Sequence, residues 1–346
     1  MLHVGSNKAG STAIQETLSQ SNDRLSASGL LYPRLGDKKH HSLLLPAILD
    51  EDEYLANFAR QDPAKRQSGL VASEALWDCL RKQVDEISPE VLLLSSEYIF
   101  GLRTASLRRF VSRLSAMSED ITAIVYLRNP CEHYLSSAQQ ILKYGCRVKD
   151  PRIHQNYSKK LRKLGNIIPG KIHPRVFSRP LLFDGDVTLD FLSLIVSADQ
   201  VKGFRIRPLV ANASISAEAM AFLSRFNREI WGDRRLIGHP LNKTVLTAIR
   251  NEEKRGGYTK AKLKDEILFL VARVHSEDAA ELRDAYGLRF PGFDYSHDSS
   301  VADRKLRAPD DAFSHLKVSD IVAYDTQLEE RMTMRVLASL AKKANT

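Results

Sequence analysis

Three short stretches carry side chains able to do chemistry. Gly5-Ser6-Asn7-Lys8-Ala9-Gly10-Ser11-Thr12 sets a lysine and the hydroxyls of Ser11 and Thr12 between and beside two glycines. Between a strand and a helix, such a turn aligns backbone N–H groups as an anion nest, and the helix N-terminus adds positive potential. Lys8 contributes a point charge for phosphate oxygens, and the two hydroxyls contribute donors. Tyr126-Leu127-Arg128-Asn129-Pro130 ends an apolar run with a guanidinium, whose planar fork suits a phosphate bidentately. Ser136 follows Arg128 by eight residues and could hydrogen-bond the same phosphate. Taken singly, the turn could be purely structural, Arg128 could neutralise a neighbouring carboxylate and Ser136 could face solvent. Together, two anion sites on two strand-to-helix turns fit one ligand with anionic groups at both ends, such as a nucleotide phosphorylated at two places.

These groups need strands to carry them, and the apolar pattern supplies candidates. Leu2–Val4, Leu30–Tyr32, Val91–Ser95, Ile121–Leu127 and Arg175–Phe177 are predicted as strands. Val91–Ser95 is continuous enough to be buried on both faces of a parallel sheet. Helices are predicted from Ser11 to about Leu25, from Leu43, over Val71–Glu86, around Leu107–Leu114, from Cys131 to Tyr144 and over Asp190–Val196. Strand–helix alternation predicts an α/β fold, a P-loop-type parallel sheet flanked by helices with right-handed crossovers. From Ser214 the pattern is helical. Ile215, Ala219, Phe222, Phe226 and Ile230 form one stripe, Leu263–Val274 and Ile321–Leu340 are further helices, and Gly287–Pro309 is an extended connector. The domain expectation is therefore an α/β core over residues 1–210 and a mostly helical part over 211–346, packed on the core.

At 346 residues the chain has room for about two domains of roughly 150 residues. A hydrophobic fraction of 43% with 27% charged residues is globular chemistry, not disorder. Apolar runs such as Val91–Leu94 fall far short of the ~20 residues of a membrane span, so no integral membrane segment is expected. MLHVGSNKAGST lacks the features of a signal peptide. Cys79, Cys131 and Cys146 are too few and scattered for a disulfide framework or a zinc site, so a reducing cytoplasm and no metal are the expectations. The net charge of +9 favours anionic ligands. Without a polybasic tail or nucleic-acid motif, nucleic acid is not an expected partner. Oligomeric state is not written in the sequence.

The first turn departs from the triphosphatase pattern G-x-x-x-x-G-K-[ST], because Ser11 stands where that pattern has its lysine. It resembles instead the 5′-phosphosulfate loop, K-[ST/A]-G-[TS]-T, of sulfotransferases that use 3′-phosphoadenosine-5′-phosphosulfate (PAPS), the bacterial carbohydrate-type members in particular: Lys8-Ala9-Gly10-Ser11-Thr12, with Ile14-Gln15 after it. Arg128-Asn129-Pro130 with Ser136 is similar to the family's 3′-phosphate motif. Gly185-Asp186-Val187 with Asp190-Phe191-Leu192, and Asn212-Ala213-Ser214-Ile215-Ser216, are weaker likenesses. The resemblance covers about residues 1–230. It implies that Lys8, Ala9, Gly10, Ser11 and Thr12 hold the 5′-phosphosulfate, and that Arg128 and Ser136 hold the 3′-phosphate. Ala13 stands where cytosolic members have an adenine-stacking tryptophan, so the base contact is unassigned.

The implied reaction moves a sulfuryl group in line from PAPS to a carbohydrate hydroxyl, without a metal. Like phosphoryl transfer, it asks a protein mainly for positioning and charge stabilisation. Lys8 would stabilise the leaving phosphate oxygen. Glu97, which ends Leu93-Leu94-Ser95-Ser96-Glu97, is the first choice of base, and His41 and His40 in the loop after the first helix are the second. Two other classes stay open: a P-loop enzyme of the nucleotide-kinase kind, and a non-catalytic protein of the same fold that binds a nucleotide or an anionic glycan.

Overall fold

The computed structural model describes residues 1–58, 65–204, 214–232, 239–296 and 316–344. Four strands make one parallel sheet: β1 (Leu2–Gly5), β4 (Leu94–Ser95), β5 (Ala123–Leu127) and β6 (Ile172–Val176), in the order β4-β1-β5-β6. A second parallel pair joins β2 (Leu30–Leu31) to β3 (Val91–Leu92). The fold is thus α/β, as the alternation predicts. β1 and β5 are buried along their whole lengths, so their residues do not alternate between apolar and polar, and His3 is the one ionisable side chain that β1 encloses.

Several boundaries differ from the sequence pattern for physical reasons. Val91–Ser95 is not one strand. Val91–Leu92 pairs with β2 and Leu94–Ser95 with β1, so Leu93 is where the chain passes between sheets. The first helix stops at Gln20 (α1, Ser11–Gln20), and a separate turn of helix runs over Asn22–Ser26. Leu43–Leu49 is two short 3₁₀ segments, His41–Leu44 and Pro46–Ile48. Pro46 lacks the N–H that a continuous helix would use. The helix expected over Asp190–Val196 occupies Val187–Ser193, capped by the Asp186 carboxylate, which accepts from Thr188 N and Leu189 N at 2.8 and 3.1 Å. The last apolar segment is divided into Val318–Ile321 and Thr326–Ala344.

The described chain forms two compact units. One gathers Met1–Arg128, Asn156–Ala211 and Glu281–Pro291 and contains both sheets; the other gathers Asn129–Gln155, Asn212–Ala280 and Gly292–Thr346 and is helical. In the first unit, Ile14, Leu18, Tyr126, Phe191 and Leu192 close the core between α1, the sheet and the Val187–Ser193 helix. In the second, the Pro130–Leu142, Ala217–Trp231 and Thr326–Ala344 helices pack together. Asn227 Nδ2 donates to the Leu142 and Gly145 carbonyls at 2.8 and 3.0 Å, satisfying the carbonyl that ends the first of these helices and one in the turn after it. Of the stripe from Ile215 to Ile230, Phe222 is buried but Ile230 is half exposed, because the helix outlasts the surface it covers. The connector expected over Gly287–Pro309 and the Asn212-Ala213 part of the weaker likeness extend outside the described residues. Among the described residues no helix is long and apolar enough to cross a membrane.

Candidate functional site

β1 lies between β4 and β5, and the chain leaves all three at their carboxyl ends, where open parallel sheets bind ligands. His3 is level with Ser95, and Gly5 is level with Tyr126. The residues that follow these strands are the phosphate-type loop after β1, Glu97 two residues after β4, and Arg128 just after β5. All three belong to the first unit.

The loop is held open by backbone conformation. Ser6 N donates to Tyr126 O at 2.9 Å, extending the β1–β5 ladder, and Ala9 N donates to Ser6 O at 3.2 Å to turn the chain. Lys8 (φ 70) and Gly10 (φ 85) both lie in the left-handed region. For Lys8 that conformation costs about 1–2 kcal/mol, the kind of strain kept at ligand sites. Gly10 has a second constraint: an added Cβ would lie 2.6 Å from Phe177 Cε2 and 3.0 Å from Val187 Cγ1. As N-cap of α1 it supplies no side-chain acceptor, so the helix's first N–H groups are left to face whatever the loop holds. Ala9 and Ser11 are buried, and Thr12 is exposed.

Arg128 is tied to this loop. Its Nη1 donates to Lys8 O at 3.1 Å, and its guanidinium lies 5.8 Å from the centre of the Phe177 ring. Two cations therefore sit together. Burial lowers the Lys8 ammonium pKa, Glu97 pulls it back up and Arg128 pushes it further down. Burial raises the Glu97 carboxyl, and Lys8 opposes that rise. Lys8, Gly10, Ser11, Glu97 and Arg128 are thus brought to one edge of one unit. Ser136 lies half-buried on the Pro130–Leu142 helix, which belongs to the second unit.

The two histidines have different surroundings. His41 is buried, with Nδ1 accepting from Ser95 N at 2.9 Å and Nε2 donating to Pro33 O at 3.0 Å. Burial lowers its pKa to about 4. With both ring nitrogens committed to backbone groups, His41 braces the end of β4 and has no lone pair left for an acceptor's proton. His40 is half-buried, with Nδ1 accepting from Ser42 N at 3.4 Å; burial and Lys38 lower its pKa.

The sequence marks Asp190 only through a weak likeness, Asp190-Phe191-Leu192, which carries no hint of what it supports. The Asp190 carboxylate, fully buried, accepts from Tyr126 Oη at 2.6 Å, from Arg175 Nε and Nη2 at 2.7 and 2.6 Å, and from Phe183 N at 2.9 Å. This ties β5, β6 and the Val187–Ser193 helix together and so sets Phe177 and Val187 against Gly10. The buried Asp190 between two apolar neighbours was the available signal, since a buried carboxylate requires partners.

No protein-family model matches the chain, and no curated protein matches it. A solved structure titled as the sulfotransferase domain from the curacin biosynthetic pathway is similar at 14% identity and a TM-score of 0.31, over 84% of this chain and 98% of that one. That likeness is too slight to assign a function.

Proposed function

We propose that the protein is a cytoplasmic sulfotransferase that carries a sulfuryl group from PAPS to a hydroxyl of a carbohydrate acceptor. The observation that carries this reading is the joining of Arg128 to the Lys8 carbonyl at 3.1 Å, which places two cations on adjacent strand ends with a carboxylate, Glu97, close enough to shift the lysine. A doubly phosphorylated adenosine has one anionic group for each cation. The motifs Lys8-Ala9-Gly10-Ser11-Thr12 and Arg128-Asn129-Pro130 favour that ligand over a simple triphosphate, because no lysine follows Gly10.

In the transfer, an acceptor oxygen bonds to sulfur while the bond from sulfur to the donor's phosphate oxygen breaks, and the electron pair stays on that oxygen. Lys8 and the α1 N-terminus stabilise the charge that develops there. The acceptor's proton goes to Glu97. The Lys8–Glu97 interaction gives the site an order of events. With the loop empty, the ammonium holds down the basicity of the carboxylate. An anion bound at Lys8 offsets that charge and leaves Glu97 the stronger base.

Calorimetric titration with adenosine 3′,5′-bisphosphate tests the donor assignment. Arg128→Ala is expected to weaken binding by about 2–5 kcal/mol, the usual cost of removing one partner from a desolvated charge pair. A wild-type chain with no affinity for this nucleotide, or an Arg128→Ala chain with unchanged affinity, overturns it. Sulfate transfer from labelled PAPS across a panel of oligosaccharides tests the acceptor class.

A further inference from the structure

Beneath the loop lies a group of buried polar atoms without partners. His3 Nε2, Ser6 Oγ and Ser11 Oγ are all buried and make no hydrogen bond. Two of them meet at Gly5, where an added Cβ would lie 2.6 Å from Ser11 Oγ and 3.4 Å from His3 Nε2. A buried polar atom left unsatisfied costs about 1–3 kcal/mol, so such atoms beside a loop with this chemistry point to a bond completed when the loop is filled. The other end of the imidazole is already engaged. His3 Nδ1 lies 2.7 Å from Ser95 Oγ, which accepts from Gln15 Nε2 at 3.1 Å. The ring is fully enclosed, packed edge-on against Phe191 at 5.5 Å and tilted against Tyr126 at 5.9 Å. Burial lowers its pKa to about 3, so it is neutral and carries one N–H.

We propose that His3 is a positioning residue that aims the Ser11 hydroxyl at the bound anion. In this assignment the donors run in one direction, with Ser95 giving its proton to His3 and not to the Tyr32 hydroxyl it also meets: Gln15 Nε2–H to Ser95 Oγ, Ser95 O–H to His3 Nδ1, His3 Nε2–H to Ser11 Oγ, and Ser11 O–H to a ligand oxygen. Gly5 keeps clear the space through which the last two groups meet, directly or through one water. A chain of this kind polarises its members, so the terminal hydroxyl is a stronger donor than an isolated serine. With its lone pair occupied by His3, the hydroxyl proton is directed outward. The inference rests on the reading of Gly5–Thr12 as an anion-binding loop but does not depend on which nucleotide the loop takes.

Two measurements on the 346-residue chain test it. Imidazole ¹⁵N NMR of the wild-type protein reports the His3 tautomer. The expected result is a proton on Nε2, with its resonance moved by Ser11→Ala; a proton on Nδ1 overturns the proposal even if no His3 variant folds. Pyrophosphate titration then reads coupling. His3→Asn, which keeps a group at the Nδ1 position and removes Nε2, is expected to weaken binding about tenfold in the wild-type background and hardly at all in Ser11→Ala. Equal weakening in both backgrounds overturns the proposal. Binding of pyrophosphate with this coupling, but no affinity for adenosine 3′,5′-bisphosphate, removes the sulfotransferase reading and leaves His3 in its role. Bisphosphate binding without coupling does the reverse, and a wild-type chain that binds neither overturns both.

Discussion

Glu97 and Lys8 constrain each other, and the site's chemistry depends on that balance. Burial favours the neutral form of each, while each favours the charged form of the other. Glu97→Gln removes the proton acceptor but keeps the shape. Transfer is expected to fall by about 10²–10⁴, with adenosine 3′,5′-bisphosphate bound as tightly as before or slightly tighter, since a negative neighbour of Lys8 has gone. Calorimetry beside single-turnover transfer separates the two effects. Because burial raises the Glu97 carboxyl, the acid limb of the pH–rate profile belongs above the usual carboxylate range, and activity is lost as pH falls through it. Glu97→Gln should abolish that limb. A variant with the wild-type profile assigns the base elsewhere. Gly10 offers a test of the loop itself. At φ 85, with Phe177 and Val187 against the missing Cβ, Gly10→Ala meets both backbone strain and overlap. The expected loss is more than about 1 kcal/mol of stability, read as a lower urea midpoint, together with loss of nucleotide binding.

The strands and helices that aim these residues depend on a single buried carboxylate. Asp190→Asn replaces an acceptor of four hydrogen bonds by a group with one acceptor oxygen, and it leaves Arg175 without its ion pair. Removing one side of a fully buried pair costs about 3–5 kcal/mol. Arg175 is about a third exposed, so about 2–4 kcal/mol is expected, measured as a drop in the urea midpoint at constant slope. A change below 0.5 kcal/mol would mean that Asp190 does not hold β5, β6 and the Val187–Ser193 helix together. How much of this could be read from sequence varied with the type of signal. The strand–helix alternation survives because each strand is a local apolar run, and the loop after β1 survives because glycine, lysine and hydroxyls are local chemistry. The passage from one sheet to the other at Leu93 is invisible, since Val91 to Leu94 are equally apolar and only pairing distinguishes them. The fixed roles of both ring nitrogens of His41 are invisible too, because their partners are a strand residue, Ser95, and a loop residue, Pro33. Arg128 could be singled out as a strand-end cation, but its bond to the Lys8 carbonyl joins residues 120 apart in the chain.

Across the whole molecule, buried imidazoles couple folding to pH in both units. His3 and His41 lie in the first unit and His275 in the second, with pKa values lowered by burial to about 3, 4 and 4. His275 shows the cause clearly: its Nδ1 donates to Val271 O at 2.8 Å and its Nε2 accepts from Gln155 N at 3.1 Å, so a second proton would displace a bond already made. Above about pH 7.5, a unit over the unfolded pKa of about 6.5, these rings are neutral whether the chain is folded or unfolded, and their contribution to stability is fully present. Below about pH 6.5 the unfolded chain takes up protons that the folded one refuses, and stability falls by about 1.4 kcal/mol per pH unit for each ring until the folded pKa is reached. At pH 5 that is about 2 kcal/mol per histidine. His3 and His41 together therefore account for about 4 kcal/mol, a large part of the 5–15 kcal/mol that ordinary domains possess. Glu97, with its raised carboxyl, works in the opposite sense but is one group against two. Urea unfolding followed at pH 7, 6 and 5 is expected to show a falling midpoint. His275→Gln, which removes one titrating ring, should make that dependence shallower. Midpoints that hold constant from pH 7 to 5 would mean that these histidines take up protons in place, and that the network around His3 and His41 yields to acid without unfolding.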